Sequence, residues 1–119
     1  MRIRKLDHIQ ICIPIGAEEE ARNFYSGVLG LEEIEKPQAL KPNGGLWFKV
    51  ADIQLHIGVE DEPNTSKRHP AFEVEELEKI KIYLQSKGVQ IKQETAIPDV
   101  NRFSFLDPFG NRIEFLEPI

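Results

Sequence analysis

Three histidines and one strand carboxylate carry most of the chemistry this sequence offers. His8 lies in LDHIQICI, His56 in IQLHIG, His69 in RHPAFEV and Glu114 in NRIEFLE. Two imidazoles and one carboxylate suit a divalent ion with open positions, such as Zn, Mn, Ni, Co or Fe(II). Open positions let the ion polarise an oxygen bound to it. The same residue types have plainer uses. A histidine on a half-exposed strand is often just a polar surface residue, and a strand glutamate pairs with an arginine, here Arg102 or Arg112, as readily as with a metal. Cys12 is the single cysteine, which excludes an intrachain disulfide and a cysteine-based zinc site. Nothing near it in sequence marks it as a nucleophile.

The elements that must position these groups follow from periodicity. In Leu6–Ile13, Ile9, Ile11 and Ile13 alternate with His8, Gln10 and Cys12, the pattern of a half-buried strand. Ala17–Leu29 places Ala17, Ala21, Phe24, Tyr25 and Val28 at helical spacing, with Gly30 as C-cap. A short strand at 31–35, a loop at 36–45 and a hairpin of 46–50 and 53–58 follow. The order then repeats. His69–Val74 reads as a strand, and Glu75–Lys87 as a helix with the stripe Leu77, Ile80 and Leu84, capped by Gly88. Val89–Lys92 is a short strand, residues 97–101 form a loop, and 103–107 with 112–117 make a hairpin around Pro108-Phe109-Gly110-Asn111. The chain is thus one α+β domain of two βαβββ modules, 5–59 and 69–118, joined by an exposed linker at 60–68.

Alternation also sorts the polar residues onto one face. Ile53, Leu55 and Ile57 take the helix-covered side of their strand, leaving Gln54 and His56 opposite. Phe72 and Val74 leave His69 and Ala71 opposite. Ile113 and Phe115 leave Arg112, Glu114 and Leu116 opposite, and Phe103 and Phe105 do the same for Arg102 and Ser104. Trp47 falls on this face by alternation with Phe48. All three histidines therefore share the face away from the helices with one carboxylate. The alternative is an ordinary two-module sandwich with an inert interior.

Composition narrows the partners. The net charge of −5 and interspersed acidic clusters such as Glu18-Glu19-Glu20 argue against a nucleic-acid partner. No apolar run approaches the roughly 20 residues of a membrane span. The charged start lacks the apolar core of a signal peptide, and cysteine usage fits a reducing compartment. Cytoplasmic location and a small-molecule substrate are the expectations.

The opening LDHIQICI with FYSGVLGLEE, the closing FSFLDPFGNRIEFLEP and the intervening RHPAFEV resemble the vicinal oxygen chelate superfamily of glyoxalases, fosfomycin- and bleomycin-resistance proteins and extradiol dioxygenases. The resemblance spans nearly the whole chain. It implies two modules forming a half-open eight-stranded barrel around a central cavity, with a divalent metal held by His8, His69 and Glu114. Overlaying Ile113-Glu114-Phe115 on Ile53-Gln54-Leu55 places Gln54 at the corner where glyoxalase I carries a second Glu, with His56 one cavity position further. Gln54 and His56 are then the candidate catalytic proton relays, and Gln10, Trp47, Arg102 and Ser104 the candidate substrate contacts. The chain stops at Ile119 without the basic tail of the fosfomycin enzymes, and its two modules fall short of the four usual in extradiol dioxygenases. The implied function is a glyoxalase-like, metal-dependent lyase, isomerase, thiol transferase or dioxygenase. The alternative is a sequestering protein of the bleomycin-resistance type that binds without turnover. Each module shows a polar sheet face in need of a partner face, so a homodimer is expected, with modules exchanged between chains or not.

Overall fold

In the computed structural model, which describes residues 1–62 and 66–119, the chain divides into two compact units, Met1–Pro63 and Asn64–Ile119. Each holds a four-stranded mixed sheet with an α-helix after its first strand, the βαβββ order expected from sequence. Of the expected linker, Pro63, Asn64 and Thr65 lie outside the described residues. Among the described residues, no helix is long and apolar enough to cross a membrane.

In the first unit, β1 (His8–Pro14) runs parallel to β4 (Ile53–Glu60). β3 (Leu46–Val50) pairs antiparallel with β4, and β2 (Glu32–Ile34) with β3, giving the order β1-β4-β3-β2. Between β1 and β2 the expected single helix is instead α1 (Glu18–Arg22) followed by a π-helical segment, Asn23–Val28. Phe24 and Tyr25 are both buried in this segment and meet edge to face at 5.1 Å. Gly30 ends the segment at φ +73°. The segment expected as a plain loop carries a 3-10 helix, Gln38–Asn43. Ile13, Phe48, Leu55 and Ile57 form the core beneath this helix-covered face.

In the second unit, β5 (Ala71–Glu73) runs parallel to β8 (Arg112–Pro118). β7 (Val100–Leu106) pairs antiparallel with β8, and β6 (Ile91–Gln93) with β7. Helix α2 (Leu77–Ser86) buries Leu77 and Leu84. It starts two residues later than the sequence suggests, because Glu76 takes a left-handed φ of +59°. Glu117 at the end of β8 then accepts from the amides of Glu76 (2.8 Å) and Leu77 (3.0 Å), satisfying two of the helix's orphan donors and tying it to the sheet. Phe103, Phe105 and Phe115 form an edge-to-face and tilted cluster in the core.

The β7–β8 turn is held from inside. Asp107 is buried, and its carboxylate accepts from the amides of Phe109 (2.9 Å) and Asn111 (2.8 Å) and from the Asn111 side chain (2.8 Å). Replacing it leaves these donors without their acceptor in a part-buried turn. Asp107→Ala is expected to destabilise the protein by about 2 to 4 kcal/mol, measured as urea unfolding by circular dichroism. A loss below about 1 kcal/mol would show that the turn does not depend on this carboxylate.

Candidate functional site

The first unit gathers rings. Trp47 lies directly across the β3–β4 ladder from His56, and Gln10 sits beside His56 on the parallel side. Their ladder spacing stacks Trp47 on His56 at 3.8 Å and 3°, and His8 covers the other face of His56 at 4.0 Å and 17°. His56 is thus the middle ring of three and only 7 % exposed. Burial is the main cause that pushes its imidazole below the ordinary 6.5, and the charge of His8 pushes the same way against Asp7. His56 Nε2 donates to Gln54 Oε1 at 2.9 Å. His8 Nδ1 lies 2.9 Å from the Asp7 carboxylate, which accepts only, so Nδ1 carries the proton and Nε2 is left as the basic nitrogen. That hydrogen bond holds the Asp7 carboxyl below its ordinary range.

These rings border a cavity of about 590 Å³ in the first unit, walled on its far side by Lys36, Leu40 and Asn43. Gln10 lies flat across Gly58, where a Cβ would come within 2.7 Å of its amide nitrogen, so the glycine gives the glutamine its place. Cys12 lines the same cavity as a neutral thiol. Burial pushes its pKa up, and Glu60 adds to the effect.

The second unit gathers charge. Glu114 is 6 % exposed, and its Oε1 accepts from Arg102 Nη1 at 2.8 Å. His69 Nε2 lies 3.7 Å from the same oxygen. His69 does not lie on a strand as expected. β5 begins only at Ala71, because Pro70 brings no N–H to the ladder and contributes only its carbonyl, which accepts from the Glu114 amide at 3.0 Å. The His69 ring is fixed instead by Nδ1 donating to the Lys67 carbonyl at 2.9 Å, which again leaves Nε2 basic. Ser104 is buried and donates its hydroxyl to Glu94 at 2.5 Å, and Arg112 reaches the same carboxylate at 2.7 Å. The Ser104 hydroxyl, and secondarily Arg112, hold the Glu94 carboxyl low against its burial.

Strand register revises the overlay of the two modules. With His8 and His69 as equivalent openings, Gln10↔His56 in one unit corresponds to Ala71↔Glu114 in the other. The apolar pairs then coincide as well, Phe48–Leu55 with Phe105–Ile113 and Leu46–Ile57 with Phe103–Phe115. His56, not Gln54, therefore stands where Glu114 stands. The first hairpin carries one further pair, Val50↔Ile53, beyond the point where the second one turns.

Among the described residues, no three His, Cys, Asp or Glu side chains gather as a ready metal cluster. His8 lies in the first unit, and His69 with Glu114 in the second. Their chemistry fits a divalent ion. Two donors each about 2.1 Å from one ion lie about 3.4 Å apart at a tetrahedral angle, close to the 3.7 Å between His69 and Glu114. Both histidines also spend Nδ1–H on an acceptor, as metal-ligating histidines do. Arg102 is the competing cation on Glu114. Asp7, Glu94 and Thr95 were not legible as site residues. Asp7 precedes β1 and Glu94 and Thr95 follow β6, so no alternation marks them, although Asp7 adjoining a histidine is a usable signal.

A family model described as the Glyoxalase/Bleomycin resistance protein/Dioxygenase superfamily matches residues 5–115. A crystal structure of a Bacillus anthracis protein assigned to the glyoxalase family is similar at 49 % identity over 100 % of both chains, with a TM-score of 0.94. The Arabidopsis thaliana protein Glyoxylase I 4 is 27 % identical over 96 % of this chain and 71 % of its own length. TnmS3, an antibiotic binding protein from Streptomyces sp. CB03234, shares the fold at 24 % identity with a TM-score of 0.80, over 100 % of this chain and 99 % of its own.

The lowered pKa of His56 has a stability consequence. Between its folded value and the unfolded 6.5, the unfolded chain binds a proton that the folded chain refuses, so stability falls as pH drops below 6.5 and is unaffected above it. In metal-free protein, the urea midpoint of His56→Gln should fall less than that of wild type between pH 7.5 and 5.5, and the His56 ring should titrate below 6.5 by NMR. A His56 midpoint at or above 6.5 contradicts the buried stack.

Proposed function

The chain belongs to the Glyoxalase/Bleomycin resistance protein/Dioxygenase superfamily, and from that membership and its two half-sites we propose a glyoxalase-like enzyme acting on a small molecule with a divalent ion held by His8, His69 and Glu114. The observation that carries the reading is the prepared state of the donors. His69 presents Nε2 beside a buried carboxylate, and His8 presents Nε2 with its proton locked onto Asp7. When bound, such an ion, whether Zn, Mn, Ni, Co or Fe(II), stabilises negative charge developing on a substrate oxygen. The rest of the chemistry falls to side chains. His56 is kept neutral by burial, and with Nε2–H held by Gln54 its basic atom is Nδ1, which suits a general base. Trp47 and Gln10 line the cavity and orient the substrate. Ser104 acts through Glu94, whose carboxylate it holds. Lyase, isomerase, transferase and dioxygenase steps all accommodate this arrangement.

A second reading is favoured by one observation. Arg102 already neutralises Glu114, so the site is electrostatically complete without a metal, as a sequestering protein requires. Metal content separates the two. Under the enzyme reading, untreated protein carries about one divalent ion per chain by mass spectrometry. Saturating metal at about 100 Kd then raises stability by about 2.7 kcal/mol, and His69→Ala loses most of that gain. Metal-free protein with identical thermal responses for wild type and His69→Ala would leave sequestration standing.

The assembly proposed is a homodimer, in which each site takes His8 from one module and His69 with Glu114 from another. Mixing His8→Ala with Glu114→Ala protein tests which chain supplies each half. Recovery of metal binding in the mixture identifies exchanged modules, and no recovery places both halves in one chain. A monomer by light scattering at micromolar concentration overturns the dimer.

A further inference from the structure

We propose that Arg102 is a displaceable counter-cation: it occupies Glu114 until a metal takes the carboxylate, and its freed Nη1 then binds an anionic oxygen of the substrate, which is therefore a carboxylate or similar oxyanion. This rests on the metal reading above. A carboxylate 6 % exposed must be paired, and Arg102 pairs it. The pairing is single-handed. An arginine committed to a carboxylate usually makes two parallel bonds, yet Arg102 gives Glu114 only Nη1, at 2.8 Å. Its other edge faces away: Nε (3.2 Å) and Nη2 (2.8 Å) both donate to the Thr95 carbonyl. Losing Glu114 thus costs Arg102 one bond of three, and the Thr95 tether keeps the guanidinium beside the site.

His69 adds the second reason. Its Nε2 aims a lone pair at the neighbourhood of the oxygen that Arg102 holds, at 3.7 Å. A guanidinium needs no such base beside it, whereas a metal does. A permanent cation at this point would repel the ion that His69 and Glu114 are built to share. The first unit lacks this device. Gly45, next to β3 at Leu46, stands where Arg102 stands next to Phe103, and the neutral His56 stands in place of Glu114, so no charge there needs a counter-cation.

Calorimetric titration of Zn(II) into metal-free full-length protein tests the competition. Arg102→Gln should bind Zn(II) about tenfold or more tighter than wild type, because the competing cation is gone. A merely structural arginine predicts the opposite sign. In wild type, Zn(II) should shift the Arg102 Nε–Hε NMR signal, and acetate should shift it again only in the zinc-loaded protein. Because this arm uses wild type, it stands even if Arg102→Gln folds poorly. Wild type binding Zn(II) as tightly as or more tightly than Arg102→Gln, or an Arg102 signal indifferent to zinc, overturns the proposal and leaves the metal reading intact. Zinc bound by neither protein overturns both.

Discussion

A carboxylate buried in a sheet face has to be matched by positive charge, and most of the second unit's polar face follows from that demand. Glu114 is nearly inaccessible to water. An unpaired charge there would cost several kcal/mol, so β7 supplies Arg102 across the ladder, two register pairs from Ser104, which faces Glu114. The arginine in turn needs acceptors for its remaining donors, and Thr95 in the segment after β6 provides one. Glu94 beside it answers Arg112 and Ser104 in the same way. Two carboxylates, Glu114 and Glu94, thus hold two arginines and a serine, and the adjacent Glu94 and Thr95 of the β6–β7 connection take one arginine each.

The first unit shows the same framework with the charge removed. At the register position of Glu114 stands His56, kept neutral by burial between two rings. Stacking takes the place of ion pairing. Trp47, Ser104's counterpart, covers one face of His56, and His8 covers the other. With no carboxylate to neutralise, the place of Arg102 falls to Gly45 and that of Leu116 to Gly58. Gly58 lines the cavity of about 590 Å³ beneath Gln10. The repeat therefore divides its labour: one sheet face is closed around charge, and the other is open and lined with rings and amides.

How much of this was legible depends on what kind of pattern carries it. The period-two alternation placed His8, Gln10, Gln54, His56, Trp47, Arg102, Ser104 and Glu114 on the correct faces, because a strand buried on one side has no other solution. Helical spacing found the connections that carry α1 and α2 but not the π turn at Asn23–Val28, whose buried Phe24 and Tyr25 fit α-helical spacing from Ala21 equally well. Register was the weaker point. Matching Ile113-Glu114-Phe115 to Ile53-Gln54-Leu55 compares side-chain types, whereas the ladder register puts His56, two residues on and on the same face, in the place of Glu114. His69 was found by alternation although it lies ahead of its strand, where its parity is set by Pro70 continuing the extended chain. Asp7, Glu94 and Thr95 act from segments without period, and only coordinates bring them to the histidine and arginines they hold.

The two functional readings meet at one bond. In a sequestering protein the Arg102–Glu114 pair is the finished state, and the best design would give the carboxylate both prongs of the guanidinium and leave no base beside it. In a metal enzyme the pair is a resting state, and the best design would make it breakable, keep the arginine nearby and hold an imidazole nitrogen ready. Features that support the metal reading proposed above are one prong on Glu114, two on Thr95, and His69 Nε2 within 3.7 Å with its tautomer fixed from behind by Lys67. His8 is fixed by the same device, with Asp7 in place of a backbone carbonyl. Fixing a tautomer on a half-exposed ring carries an ordering cost that a surface histidine has no reason to meet. His8 and His69 thus keep Nε2 basic, whereas His56 spends Nε2–H on Gln54 and keeps Nδ1 basic, which is the distinction between ligand and proton carrier in the reading proposed above.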